Sequence, residues 1–375
     1  MLQRLYVHNF RCLENFELVT GDATSLLLIG RNGMGKSTVR DVLIIFQSIA
    51  RGTNRVSTLI TELDSAHGRT SIPMRFSIEL KLEQKLYSYE IALELPSGFQ
   101  EYRVLEEKLT AGNIVVFHRN HASVVLPRTA TDQPERSSQF AIDWHLFALP
   151  LIHTKSADDP VAIVKSWLSR MVLLAPIPPF MTGLSSGETM EPALDGSNIA
   201  DWFNGVMSPR LSIYSTFESN LKLLIPDFVD VINETVGIEI KRLSLRFNRG
   251  ADTLMVHFDR LSDGERCLFL IALIITANKA HGPLFCFWDV PDNYLSLTDI
   301  GQLMLELRRE FVHAGQILVT SHHPETIRMF TDESTLFLDR RSHLEPTQIR
   351  LLSDMPQSGD LINAIITGDI YDGDQ

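Results

Sequence analysis

The sequence predicts an α/β protein: a mixed sheet, an antiparallel β subdomain and an inserted helical region. Three observations carry that reading. The first is an apolar run, Ser25-Leu26-Leu27-Leu28-Ile29, that leads into Gly30-Arg31-Asn32-Gly33-Met34-Gly35-Lys36-Ser37-Thr38; a helical pattern follows, with Val39, Val42, Leu43 and Phe46 on one face. The second is alternation of apolar and polar residues, strict over 74–82 and resumed over 87–95 with Tyr87, Tyr89, Ile91, Leu93 and Leu95. The third is a long apolar helix after Leu261-Ser262-Asp263-Gly264-Glu265, succeeded by a second apolar run that ends at Asp289.

A buried strand, a glycine-rich loop and a helix form the context that a phosphate-binding loop requires, and the spacing Gly-x4-Gly-Lys-Ser is complete. Its glycines let backbone N–H groups turn toward phosphate oxygens, and the helix N-terminus adds partial positive charge. Asn32, Gly33, Gly35 and Thr38 are the candidate phosphate contacts. Lys36 is placed to reach the β- and γ-phosphates, and the Ser37 hydroxyl to bind Mg²⁺. The expected cofactors are ATP and Mg²⁺.

A chain of 375 residues can bury one large core or two modest ones. Hydrophobic content of 44% and charged content of 21% describe an ordinary globular protein. The net charge of −12 argues against a broad nucleic-acid-coating surface, which needs clustered Lys and Arg, but leaves room for a local basic groove. Cys12, Cys267 and Cys286 are far apart, odd in number and without zinc spacing, as expected in a reducing compartment. Met1 precedes no apolar signal core, and the longest apolar run, residues 268–277, is too short to span a bilayer. The expectation is a cytoplasmic protein without a membrane anchor.

Read in order, residues 2–30 give two strands and a turn before the loop, and 37–50 the helix behind it. The alternating segments form a hairpin around Glu83-Gln84-Lys85. Residues 101–127 add two or three strands, and the polar stretch 128–138 is an exposed loop. Asp159-Pro160 is an N-cap and first-turn pair for a helix. A second helix starts at Ser208-Pro209 and runs to about Leu224, and a third follows Pro226 to about Thr235. Residues 238–247 then form a strand beside Lys241, Arg242 and Arg246. The expected division is 1–127, an N-terminal lobe; 128–237, a mainly helical insertion; and 238–375, a C-terminal lobe. Residues 353–375 hold five aspartates and no lysine or arginine, the composition of a solvated acidic tail.

The C-terminal lobe holds the second half of the candidate site. Ser262 and Glu265 have capping-box spacing, and Gly264 leaves that helix end bare, so that a phosphate can approach. Asp289 ends an apolar strand, as a magnesium-holding carboxylate does. A third apolar strand, residues 316–320, ends at Ser321-His322-His323-Pro324, where a histidine can donate to a γ-phosphate. A second signature-like stretch, Leu184-Ser185-Ser186-Gly187-Glu188, has no long apolar helix after it and reads as a loop. Neither Gln47 nor Gln84 is a convincing glutamine-loop residue.

The order Phe10-Arg11, GRNGMGKST, LSDGE, an apolar strand with Asp-x-Pro-Asp-Asn, and SHHPE resembles the ABC-type ATPases of the RecF, SMC and overcoming-lysogenization-defect (OLD) kind, in the AAA family. The match spans residues 1–50 and 260–330 and covers the middle only in outline. The resemblance implies a P-loop NTPase fold of ABC-ATPase type, whose heads form a homodimer around two ATP molecules. Lys36, Ser37 and Asp289 then serve the ATP of their own subunit, with Ser37 and Asp289 on Mg²⁺. Ser262 and Gly264, in the signature that Glu265 completes, meet the partner's γ-phosphate, and His322 is the switch histidine. Arg11 matches the family's early Phe-Arg/Lys position, near the nucleotide or the dimer face.

One departure bears on chemistry. The family reads Asp-Glu-Pro after its second strand, and that glutamate polarises the attacking water. This chain reads Asp289-Val290-Pro291-Asp292-Asn293. Valine cannot accept a proton or orient water. Asp292 is the substitute catalytic carboxylate if the backbone brings it inward. The expected function is therefore an ATP-gated dimerising switch with slow hydrolysis, controlling a separate effector protein. Resemblance to short standalone members makes anti-phage defence its setting. The alternative is a RecF-like DNA-binding repair clamp using Lys241, Arg242, Arg246 and Arg249. A GTPase is disfavoured, because Asn278-Lys279-Ala280-His281 lacks the aspartate of the base-reading motif.

Overall fold

The computed structural model describes residues 1–127, 138–154, 156–208 and 211–355. The acidic tail beyond 355, residues 128–137 of the expected exposed loop, and Pro209 lie outside the described residues. The chain forms two compact units. Residues 1–22, 31–171 and 337–350 make the first; residues 23–30, 172–336 and the segment from 351 make the second. This grouping differs from the division at 127 and 237. The strand Ser25–Ile29 pairs in parallel with Gln316–Thr320, which takes an early segment away from its sequence neighbours.

The first unit is built on an eight-stranded antiparallel sheet. Its spatial order is Phe16–Val19, Leu2–His8, Met74–Leu82, Lys85–Glu94, Arg103–Ala111, Ile114–Asn120, Ser123–Leu126, Ser138–Ala141. The alternation sets which face is buried: Phe76 pairs with Ile91 and Ile78 with Tyr89, and all four are buried. Glu83 and Gln84 turn the hairpin with φ of 48° and 68°, the left-handed pair that tight hairpins favour. The helix Lys36–Ala50 covers this face, and its Phe46 ring meets Tyr89 edge-on at 5.8 Å. Residues 2–29 hold three strands rather than two, because Phe16–Val19 doubles back on Leu2–His8 before Ser25–Ile29 begins. Asp159 caps the Pro160–Ser169 helix by accepting from the Val161 N–H at 2.9 Å. Gln47 donates to the Met171 carbonyl at 2.5 Å, so both glutamines considered for a glutamine loop have structural work.

A buried ion pair fastens the segment after this sheet. Glu107 and Arg119 are fully buried, 3.4 Å apart. Glu107 also accepts from the Tyr89 hydroxyl at 2.8 Å and from the Ala148 and Leu149 N–H groups at 2.7 and 2.9 Å. Arg119 donates to the carbonyls of His121, Asp143 and Leu146. Burial, then the Glu107 carboxylate, holds the Tyr89 phenol well above its ordinary pKa.

The second unit centres on four parallel strands in the order Val172–Leu174, Phe285–Asp289, Gln316–Thr320, Ser25–Ile29. The helix Asp263–His281 is apolar on every side and buried from Cys267 to Asn278, as a central helix must be. Phe269 on this helix lies 4.9 to 5.5 Å from the rings of Phe203, Phe217 and Phe258. The helix Leu211–Leu224 lies where a second mid-chain helix is expected. Residues 228–237 correct the expectation of a third. They form a strand, Phe228–Gly237, paired with Ile240–Arg249, which pairs in turn with Asp252–His257. Cross-strand pairing of Val231 with Leu245 overrides the local helical pattern. Among the described residues no helix is long and apolar enough to cross a membrane. None of the three cysteines forms a disulfide. Burial and then Asp263 push the Cys267 thiol up to about 12, and burial also raises Cys286.

An Arg119→Leu change is expected to destabilise the protein by about 3–5 kcal/mol, because it leaves the Glu107 charge buried without its cation. Denaturant unfolding checks this. Adding Glu107→Gln to the same chain should recover part of the loss, and a loss below about 1 kcal/mol in the single variant contradicts the account.

Candidate functional site

The loop grows directly out of a strand whose residues are all buried. Gly30, Gly33 and Gly35 have φ of 148°, 81° and 95°. Gly35 is required twice over: its backbone is left-handed, and a Cβ there would stand 2.9 Å from Cys12 Sγ and 3.3 Å from a Leu13 methyl. Gly35 is also the N-cap of the Lys36–Ala50 helix. It supplies no side-chain cap, and no acidic residue occupies the first turn. Lys36 is only 7% exposed, and its ammonium donates to the Arg31 carbonyl at 3.1 Å, so the cation folds back over its own loop. Asn32, Gly33 and Ser37 are exposed. Thr38 turns its hydroxyl to 3.7 Å from Cys12 Sγ. Arg11 has φ of 51° and donates to Asp64 at 2.9 Å and to Asp41, on the loop's helix, at 2.5 Å.

These observations fit a phosphate chain. A helix end with no side-chain cap and no acid in its first turn offers positive potential to an external anion, and a buried lysine adds charge. Among the described residues no group of three or more histidine, cysteine or carboxylate side chains is gathered for a metal of its own. A Mg²⁺ carried with nucleotide phosphates takes one or two protein oxygens and needs no such cage.

Within the second unit the strand ends are in register. Asp289 pairs with Thr320, and Thr320 with Leu28, so Gly30, Asp289 and Ser321 lie at one carboxyl edge of the parallel sheet. That edge is where open α/β sheets bind ligands. Thr320 organises it. Its buried hydroxyl donates to Asp289 Oδ1 at 2.6 Å and accepts from the Val290 N–H at 2.9 Å. Val290 has φ of 52°, a strained conformation for a β-branched residue, worth about 1–3 kcal/mol. Asp292 is buried and accepts from Ser321 and Thr326 rather than facing solvent. His322 is exposed. Thr320 and Thr326 are the residues that sequence reasoning missed. Hydroxyls at the end of the apolar run Ile317-Leu318-Val319 were the available signal for Thr320.

The capping box is formed as its spacing predicts. Ser262 Oγ accepts from the Glu265 N–H at 3.3 Å, and Glu265 accepts from the Ser262 N–H at 2.8 Å. Ser262 is exposed. Gly264 is less bare than expected, since a Cβ there would meet the Tyr294 carbonyl at 3.2 Å. The second signature-like stretch is accounted for internally: the Ser186 and Gly187 N–H groups both donate to Asp201 Oδ1 at 3.0 Å. Two of the four basic residues offered for DNA are in ion pairs, Lys241 with Glu188 and Arg246 with Asp230.

Residues 1–135 match the family model described as AAA ATPase domain. The fold is similar to that of an SMC head bound to the C-winged helix domain of ScpA, with a TM-score of 0.55 and 12% identity, over 94% of this chain and 98% of that one. It is also similar to an SMC head with an extended coiled coil bound to the C-terminal domain of ScpA, derived from Pyrococcus furiosus: TM-score 0.51, 12% identity, 94% of this chain and 96% of that one. Residues 1–135 are thus similar to an AAA ATPase domain, and the chain has the fold of the SMC heads. The resemblance to ABC-type ATPases of the RecF, SMC and OLD kind is thereby borne out, as is the α/β P-loop fold class. No curated protein matches the sequence.

The buried Thr320 hydroxyl serves two partners at once. Thr320→Val is expected to destabilise by about 1–3 kcal/mol, the range for orphaning a buried polar group, while Thr320→Ser retains most of the stability. Thermal unfolding of the two variants side by side checks this; equal losses would contradict it.

Proposed function

We propose that the chain is an ATP-gated switch. It binds ATP with Mg²⁺ at the glycine-rich loop, pairs with a second copy around two nucleotides, and hydrolyses slowly while it controls a separate effector protein. The observation that carries the nucleotide reading is the Lys36–Ala50 helix, which starts at a left-handed glycine with neither a side-chain cap nor an acid in its first turn. Asn32, Gly33, Gly35, Lys36 and Thr38 are assigned to phosphate. Ser37 and Asp289 are assigned to Mg²⁺ by their places after the loop lysine and at the strand end. Ser262 and Gly264 are assigned to the γ-phosphate held by a second copy, with Glu265 closing the capping box that shapes this nucleotide-facing end, and the exposed, capped helix end supports that assignment. Arg11 is assigned to the nucleotide or dimer face and His322 to the γ-phosphate sensor.

Slow turnover rests on Val290. The backbone at that position is left-handed and tied by its N–H to Thr320, so the residue is held in place while offering only hydrocarbon. Mg²⁺ and Lys36 supply charge stabilisation; a carboxylate to orient and deprotonate water is what the position lacks. The similar SMC heads are bound to ScpA domains, which supports a partner protein for this chain as well. Anti-phage defence is the setting proposed from the resemblance.

Lys36→Ala is expected to abolish ATP binding, since it removes the cation of the loop. Calorimetry showing unchanged affinity would sink the loop assignment. Val290→Glu is expected to raise turnover at least about tenfold, the lower end of what general-base catalysis contributes. Brisk wild-type turnover that Val290→Glu leaves unchanged would remove the slow-switch reading.

A further inference from the structure

Asp292 is engaged in a way that a general base is not. Its side chain is 5% exposed. A single oxygen, Oδ2, accepts from both the Ser321 and the Thr326 hydroxyls, and both donors are fully buried. Ser321 Oγ in turn accepts from the His323 N–H at 2.8 Å, and His323 Nδ1 accepts from the Glu325 N–H at 3.2 Å. His322 therefore sits in a turn whose two flanks hang on one carboxylate oxygen. In the other direction, the Leu295 N–H donates to the Asp292 carbonyl at 3.3 Å and closes the turn that carries Tyr294. The Tyr294 carbonyl packs on Gly264, in the first turn of the helix capped by Ser262 and Glu265.

We propose that Asp292 is a positioning residue. It ties the His322 turn to the segment that packs on the capped helix end, so that both ends of this unit that address a γ-phosphate move as one piece. The proposal rests on the ATP-sandwich reading for its functional meaning, but the tether itself does not. Two hydroxyls donating to one oxygen need only a carbonyl-type acceptor. An asparagine can therefore replace Asp292 as a tether, whereas it cannot replace a carboxylate that accepts a proton.

The test is hydrogen exchange of residues 321–328 in the nucleotide-free protein, followed by sedimentation with ATP. D292A should raise exchange of that turn at least about tenfold, the factor that losing a buried hydrogen bond of ordinary strength implies. It should also fail to give the ATP-driven dimer. D292N should restore both. T326V removes one of the two donors and should raise exchange less; it serves if D292A does not fold. Unchanged exchange in D292A, or in T326V where D292A is unfolded, overturns the tether. So does a D292N protein that keeps the protection but loses ATP turnover, since that returns the carboxylate to the chemistry. A wild type that forms no ATP-driven dimer overturns the sandwich reading alone, and the exchange comparison still decides the tether.

Discussion

Parallel pairing of three short apolar strands is the constraint on which the rest depends. Phe285–Asp289, Gln316–Thr320 and Ser25–Ile29 hold a register that ends all three at one level. Each strand is buried along its whole length, so the register is set by core packing on both faces and has no freedom to slip. Gly30, Asp289 and Ser321 fall where the strands stop. They are neighbours because their strands are.

Buried acids mark the places where the fold holds its own loops. Glu107 gathers a tyrosine hydroxyl, two backbone amides and an arginine. Asp289 takes the Thr320 hydroxyl, and Asp292 takes two more. A buried carboxylate without such donors costs more than most domains can spare, so each acid fixes the elements that bring its donors. Asp201 does the same on a smaller scale by filling the amide nest at Ser186 and Gly187, and an internal carboxylate there leaves no room for an external anion. The Lys36–Ala50 helix is the contrast. Its N-terminus has no side-chain cap and no acid in its first turn, and such a helix end is one that an anionic ligand can use.

Left-handed backbone falls at two kinds of positions, one in each unit. Gly35 has no Cβ to clash with Cys12 or Leu13, so its conformation is cheap. Val290 adopts a similar φ at a real cost and is retained by the Thr320 hydroxyl. Strain at the residue after the strand-end carboxylate persists because the surrounding structure overdetermines that turn.

The loop, the capped helix, the Asp289 strand and the alternating hairpin were legible in the amino-acid sequence, because each rests on contacts between residues close in the chain. Spacing determines whether Ser262 can meet Glu265, and period-two alternation determines which face of residues 74–95 is buried. Phe228–Gly237 was misread as a helix because its strand character comes from pairing with Ile240–Arg249, which local propensity does not encode. Asp292 looked like a stand-in for the missing glutamate because it lies close to Val290 in the chain. Only the tertiary structure showed its acceptor oxygen turned to Ser321 and Thr326, which lie far along the chain. The same holds for Thr320, whose partners Asp289 and Val290 come from the adjacent strand. The sequence by itself determined that a loop of Gly-x4-Gly-Lys-Ser spacing follows an apolar strand and that valine, not a carboxylate, follows Asp289, since both are local facts. Which buried hydroxyl meets which buried acid was decided by strand register, a property of chain segments that are distant until they fold.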